Sequence, residues 1–214
     1  MNKEWSAKNK QFQQELKKNT FSKGIQTLLE LRKELFEVVE EVMSHSTKEE
    51  LCAMPFVNAN GYHNKTIAYS IWHIFRIEDI VCNTILQEQE QVLFQGFLEK
   101  IQSPIITTGN ELVKEEIADF SRKLDMEALF EYAKEVKRVS DQYLQSLEYT
   151  DLKRKVIERK EAVIESGCVS ESELSYWLID YWCGKDVKGL LQMPFSRHWI
   201  MHIEALLRIQ KGLK

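Results

Sequence analysis

Between about Asn64 or Thr66 and Glu90 the chain carries an apolar surface too broad to be buried from one side. Wound at 100° per residue, Ile67, Ile71, Ile74, Phe75, Ile77, Ile80, Val81 and Ile85 fall on one wide arc. A helix with such an arc is packed by neighbours on more than one side, so it belongs inside a helical assembly. Three other segments supply those neighbours. Phe21 to Ser44 repeats Ile25, Leu28, Leu29, Leu35, Val39 and Val42 at helical spacing, with charged residues opposite. Asp125 is a good N-cap for a helix striped by Met126, Leu129, Phe130, Ala133, Val136, Tyr143, Leu144 and Leu147. The last helix begins at Pro194 or Phe195, in a first turn that tolerates proline, and reaches Lys211.

Only 8 Gly and 3 Pro occur among 214 residues, which leaves few tight turns and favours long helices. No segment alternates like a strand, apart from a marginal stretch near Ile105–Thr108. The expected fold is therefore all-α: a single domain, 1–214, built as a four-helix bundle with additions. Met1 to Thr20 carries only Trp5, Phe12 and Leu16 and reads as a weak helix or a loose N-terminal arm. Thr47 with Glu50 makes a capping box ahead of a short turn that Pro55 stops. Phe56 to His63 reads as a loop turning at Asn58, Asn60 and Gly61. Thr108 with Glu111 predicts a second capping box opening a shorter helix. Ser170 with Glu173 predicts the cap of an aromatic helix bearing Leu174, Trp177, Leu178, Tyr181 and Trp182, ended by Gly184.

Charge and composition exclude several function classes. The formal charge is −4, and the densest basic stretch, Lys153 to Lys155 then Arg159 and Lys160, is interrupted by Glu158 and Glu161. It reads as a solvated helix face, so no nucleic-acid partner is expected. No apolar run approaches the roughly 18 residues of a spanning helix, so no membrane segment is expected. The polar N-terminus has no apolar h-region, and Cys52, Cys82, Cys168 and Cys183 form no CxxC. The expectation is a cytoplasmic protein with reduced thiols.

Three of five histidines sit at core-type positions. His198 and His202 are four apart, hence on one helix face with Cβ atoms about 5–6 Å apart. Phe195, Ala205, Leu206 and Ile209 share that face, while Glu204 and Arg208 mark the polar one. His73 lies at the edge of the wide apolar arc, between Ile77 and Ile80 on one flank and Tyr69 and Arg76 on the other. On spacing alone these histidines are either hydrogen-bonded packing residues or metal ligands. A divalent ion would satisfy the acceptor nitrogens of buried neutral imidazoles and leave each N–H for another partner. Three histidines without a fourth protein ligand make an open site. The pair is not a zincin motif, since Trp199 rather than Glu follows His198.

Two stretches resemble a known family. Thr66-Ile-Ala-Tyr-Ser-Ile-Trp-His73-Ile-Phe-Arg-Ile-Glu78-Asp79 is similar to the second helix of the DinB/YfiT-like superfamily, and Arg197-His198-Trp-Ile-Met-His202-Ile-Glu-Ala to its closing helix. The resemblance implies a four-helix bundle holding one divalent metal ion (Zn, Ni or Fe) on His73, His198 and His202. It also implies a metal-dependent thiol S-transferase or detoxification-type enzyme, whose partners are a low-molecular-weight thiol, such as bacillithiol or mycothiol, and an electrophile. Under it Arg76 is a candidate for a cosubstrate carboxylate, against an ordinary surface arginine. Tyr69 and His63 are candidate donors to substrate, against packing or loop residues. Trp177, Trp182 and Trp199 are candidate pocket walls, against a core role. Glu78 either accepts from a ligand imidazole or pairs with a neighbouring helix, and Cys183 is a candidate fourth ligand. The N-terminal arm and the stretch from about 150 to 189 are extra to the family pattern, and either would reshape the pocket over the ion. The alternative function is a non-catalytic metal-binding or stress-response module whose ion is structural. A homodimer through a bundle face is a further expectation, with no sequence feature isolating the surface.

Overall fold

The computed structural model describes residues 2–59 and 61–213, so Met1 of the N-terminal arm, the turn residue Asn60 and Lys214 lie outside it. The described residues are all-helical, with no strand; Lys155 and Asp186 form an isolated bridge. The elements are α1 (Lys3–Glu15), α2 (Phe21–His45), α3 (Lys48–Cys52), α4 (Ile67–Asp79), α5 (Phe97–Ile101), α6 (Glu115–Lys123), α7 (Met126–Ser146), α8 (Lys160–Glu165), α9 (Glu173–Cys183), α10 (Val187–Leu191) and α11 (His198–Gly212). No helix is long and apolar enough to cross a membrane.

Several starts follow from local chemistry. Asp125 accepts from the Ala128 N–H to open α7, Thr66 accepts from Tyr69 to open α4, and Thr47 with Glu50 forms a complete capping box at α3. Elsewhere the structure corrects the expectations. Thr108 and Glu111 open no helix: Gly109 has φ 79°, the Thr108 hydroxyl bonds Asn110, and the Glu111 carboxylate accepts from Thr107 and Ser175. The next helix, α6, starts only at Glu115. The cap of α9 is Ser172, with Ser170 two residues back accepting from the Ser172 N–H. The basic stretch is not one helix face. Arg154 donates to the Leu86 carbonyl and Tyr143, while Arg159 pairs with Glu88 and Lys160 with Asp180.

The N-terminal segment is a 13-residue helix lying along α2, not a loose arm. Its few apolar residues, Trp5, Phe12 and Leu16, are all buried, and the Asn2 N–H donates to Glu204 on α11. Two long helices carry π-helical turns that a 3.6-residue period does not announce. One, Ile80–Gln87, continues α4 until Glu88 adopts φ 57°; the other, Met193–Arg197, leads into α11.

α4 packs against α7 and α11, and α2 packs against the same two helices. Their interior holds two apolar clusters. One gathers Leu31, Leu35, Phe75, Val136 and Leu206; the other gathers Leu28, Ile80, Tyr143, Leu190 and Phe195. Between them runs a buried polar layer. Arg32 on α2 donates to both carboxylate oxygens of Glu78 on α4, at 2.7 and 2.8 Å, and to Asp141 and Ser140 on α7. It also donates to the Phe195 carbonyl, and the Trp199 indole N–H on α11 donates to Glu78 at 2.7 Å. Burial works against the guanidinium charge, but Glu78 and Asp141 outweigh it and raise the Arg32 pKa.

Because both partners are fully buried, Arg32→Met leaves an uncompensated carboxylate. Chemical denaturation is expected to show a loss of about 3–5 kcal/mol, most of it regained in the double variant Arg32→Met with Glu78→Leu. A loss below about 1 kcal/mol in the single variant would mean the layer is not what joins the helices.

Candidate metal centre

The three histidines meet where α4 crosses α11. Their ring centroids stand 4.4–5.1 Å apart, and one candidate ligand nitrogen from each lies within 4.8 Å of the other two. Exposure is 5% for His73, 7% for His198 and 4% for His202, so the rings depend largely on partners within the fold. Burial holds all three pKa values down, His73 to about 4; at His198 and His202 the neighbouring imidazoles add to the effect. At neutral pH each ring is therefore uncharged, with one N–H and one lone pair.

The protein meets only part of that demand. His73 Nδ1 lies 2.9 Å from the Thr108 carbonyl, which accepts only from an N–H, so the lone pair of His73 is on Nε2. That Nε2 faces His198 Nε2 at 3.3 Å. His198 Nδ1 and His202 Nδ1 are buried without a partner among the described residues. One N–H···N bond between His73 and His198 would still leave His202 unserved. Two nitrogens each about 2.0–2.1 Å from a tetrahedral ion stand about 3.3–3.4 Å apart, which the His73–His198 pair matches, while the three-nitrogen set as a whole lies within 4.8 Å. The residues present could hold one divalent ion.

The loop before α6 sets the His73 ring. Four successive carbonyls, of Ile106, Thr107, Thr108 and Gly109, accept in turn from Arg76 Nε, Trp72 Nε1, His73 Nδ1 and the Tyr69 hydroxyl. Residues 69, 72, 73 and 76 form one stripe of α4, so an irregular peptide is bonded along a helix face. Tyr69 also stacks on His73, with centroids 5.6 Å apart and ring planes 10° apart.

This arrangement reassigns most of the other predicted site residues. Arg76 is neither a surface arginine nor available to a cosubstrate: it is fully buried and bonded to Ile106, Asp79, Gln91 and Cys168. Tyr69 donates its hydroxyl to the Gly109 carbonyl and stacks on the His73 ring. Trp199 is fully buried, bonded to Glu78 and 4.4 Å from the Arg32 guanidinium, so it lines no pocket. Glu78 contacts no imidazole; it pairs with Arg32, and the acceptor behind His73 is a backbone carbonyl. Cys183 is buried in the second apolar cluster, away from the histidines. His63 lies 2.9 Å from Arg208, while its neighbour Tyr62 sets its ring edge-on against His202 at 4.8 Å.

A cavity of about 210 Å³ adjoins the cluster, and all three histidines form part of its wall. Trp177 and Trp182 line it, the role that the sequence sets second to a core one, and Trp182 belongs to the second apolar cluster as well. Tyr62, Asn110, Met193 and Met201 also line it, and sequence reasoning missed them. Asn110 ends a stretch that reads as loop from Pro104 onward and carries no motif of its own, and the methionines look like ordinary core residues of helical segments. No family model matches the chain, and no curated protein matches its sequence.

A Cβ at position 109 would stand 3.0 Å from the Tyr69 ring, on a backbone at φ 79°. Gly109→Ala is expected to cost about 1–3 kcal/mol of stability through this strain. By loosening the His73 support it should also weaken divalent-metal affinity about 10- to 100-fold in a competitive chelator titration. Unchanged affinity would show that the loop carbonyls do not position the ligand.

Proposed function

We propose that this chain is a divalent-metal-binding four-helix-bundle protein of the DinB/YfiT-like type, acting as a metal-dependent thiol transferase on small electrophiles. The observation that carries this reading is a buried cluster of three neutral histidines with unmet ring nitrogens, opening onto a cavity. The mutual packing of α2, α4, α7 and α11 supports the bundle assignment, and the two helices bearing the family-like motifs are the ones that meet at the histidines.

His73, His198 and His202 would hold the ion, whose identity the ligand type leaves to cellular availability. When bound, such an ion supplies an open position where the thiolate form of a cosubstrate thiol is favoured. The chain's own residues do the rest. The Thr108 carbonyl fixes the His73 tautomer and raises its basicity as a ligand. The aromatic walls Trp177 and Trp182 give the electrophile an apolar surface to pack against. In the transfer, sulfur bonds to the electrophilic carbon as the leaving group departs with its electron pair, and the thiol proton passes to solvent.

One observation favours a second reading. Exposures of only 4–7% at the three histidines suit an ion whose role is to pin α11 to α4 without turnover.

Elemental analysis of tag-free protein is expected to find about one equivalent of a divalent metal, lost in His73→Ala and in His202→Ala. Metal-loaded protein should then consume bacillithiol, mycothiol or glutathione in the presence of electrophiles. Metal without turnover, together with a fall in Tm on chelation, would favour the structural ion. No metal after incubation with Zn, Ni and Fe would overturn both readings.

A further inference from the structure

The cavity beside the histidines has a composition that the metal reading does not use. Its wall carries no formally charged side chain. Apart from the three imidazoles and two tyrosines, Tyr62 and Tyr181, the polar group lining it is Asn110; the remainder is Ile77, Leu178, Pro194, tryptophan and methionine. Away from the histidines, a charged group placed there would lose its water without gaining a charged partner, which costs several kcal/mol or more. Size restricts the occupant further. Engineered apolar cavities of about 150 Å³ already take benzene, whereas pockets for drug-sized ligands run from about 300 to 1,000 Å³. About 210 Å³ suits one ring with a small substituent.

Asn110 supplies the direction. The Thr108 hydroxyl donates to Asn110 Oδ1 at 2.8 Å, and the Asn110 backbone N–H points back to Thr108 Oγ1 at 3.4 Å. With Oδ1 engaged, the amide is oriented and its Nδ2 hydrogens, which meet no acceptor among the described residues, remain to donate. Thr108 is also the residue whose carbonyl holds His73. One residue thus fixes both the ligand ring and the amide on the cavity wall.

We infer that the cavity binds a compact, uncharged, single-ring molecule bearing one hydrogen-bond acceptor, with the acceptor on Asn110 Nδ2 and the ring among Trp177, Leu178 and Trp182. This names the electrophile class of the proposed transferase and rests on that reading for its catalytic meaning, although binding itself requires no turnover. Asn110 then acts as a specificity-determining residue and Thr108 as the positioning residue behind it.

The test is calorimetric titration of the purified full-length chain with acetophenone and with ethylbenzene, two probes of similar size that differ in the acceptor. Saturation-transfer NMR should confirm contact of the ring with protein. Wild type is expected to bind acetophenone about three- to tenfold more tightly than ethylbenzene, the worth of one hydrogen bond. Asn110→Ala should erase that preference while keeping ethylbenzene affinity. Trp177→Ala, at a residue 52% exposed and so safe for folding, should weaken both probes. Equal affinities in wild type, a preference that survives Asn110→Ala, or no binding of either probe would each overturn the inference. Metal content and thiol consumption are read separately. Ring binding without metal would sink the transferase reading alone, and thiol transfer without ring binding would sink this inference alone.

Discussion

The Arg32–Glu78 pair is the contact on which the relative placement of the four long helices depends. It is nondirectional apolar burial that draws α2, α4, α7 and α11 together, and greasy surfaces can slide against one another at little cost. A buried guanidinium cannot slide, because each displaced N–H would lose an acceptor in a medium without water. Arg32 reaches Glu78, Ser140, Asp141 and the Phe195 carbonyl, and Glu78 in turn takes the Trp199 indole. Glu78 lies five residues beyond His73 on α4, and Trp199 adjoins His198 on α11. The layer therefore sets the register at which the two histidine-bearing helices meet.

A second buried carboxylate continues the logic one residue further on. Asp79 accepts from Arg76, Asn83, the Tyr132 hydroxyl and the backbone N–H groups of Val92 and Leu93. It thereby folds the chain after the π-helical turn back onto α4 and α7. Consecutive acidic residues on an otherwise apolar helix divide the labour: Glu78 joins α2, α7 and α11, and Asp79 joins α7 and the returning chain.

Much of this was legible in the sequence because it follows from periodicity and caps. The long helices, their Asp125 and Thr66 starts, and the convergence of His73 with His198 and His202 rest on patterns that repeat along the chain. What escaped detection depends on partners far away in sequence. Arg76, Tyr69 and Trp199 look like site residues because they flank ligands, yet each is bonded to a group that only tertiary folding brings near. The π-helical turns are invisible for another reason: in Ile80–Gln87 nearly every position is buried, so no polar face reveals the change of period. The α1 helix was undervalued because three well-spaced apolar residues, Trp5, Phe12 and Leu16, suffice when a neighbouring helix offers a ready surface.

The ladder of carbonyls along α4 has a consequence for how such a site changes over evolutionary time. At 106, 107 and 108 the peptide, not the side chain, grips Arg76, Trp72 and His73, so drift in those side chains leaves the grip intact. Substitutions there alter the surroundings of the histidines while the His73 ring stays anchored. The His73 ring is thus held by loop backbone on one side and helix side chains on the other, so its orientation is insensitive to which side chains residues 106 and 107 carry.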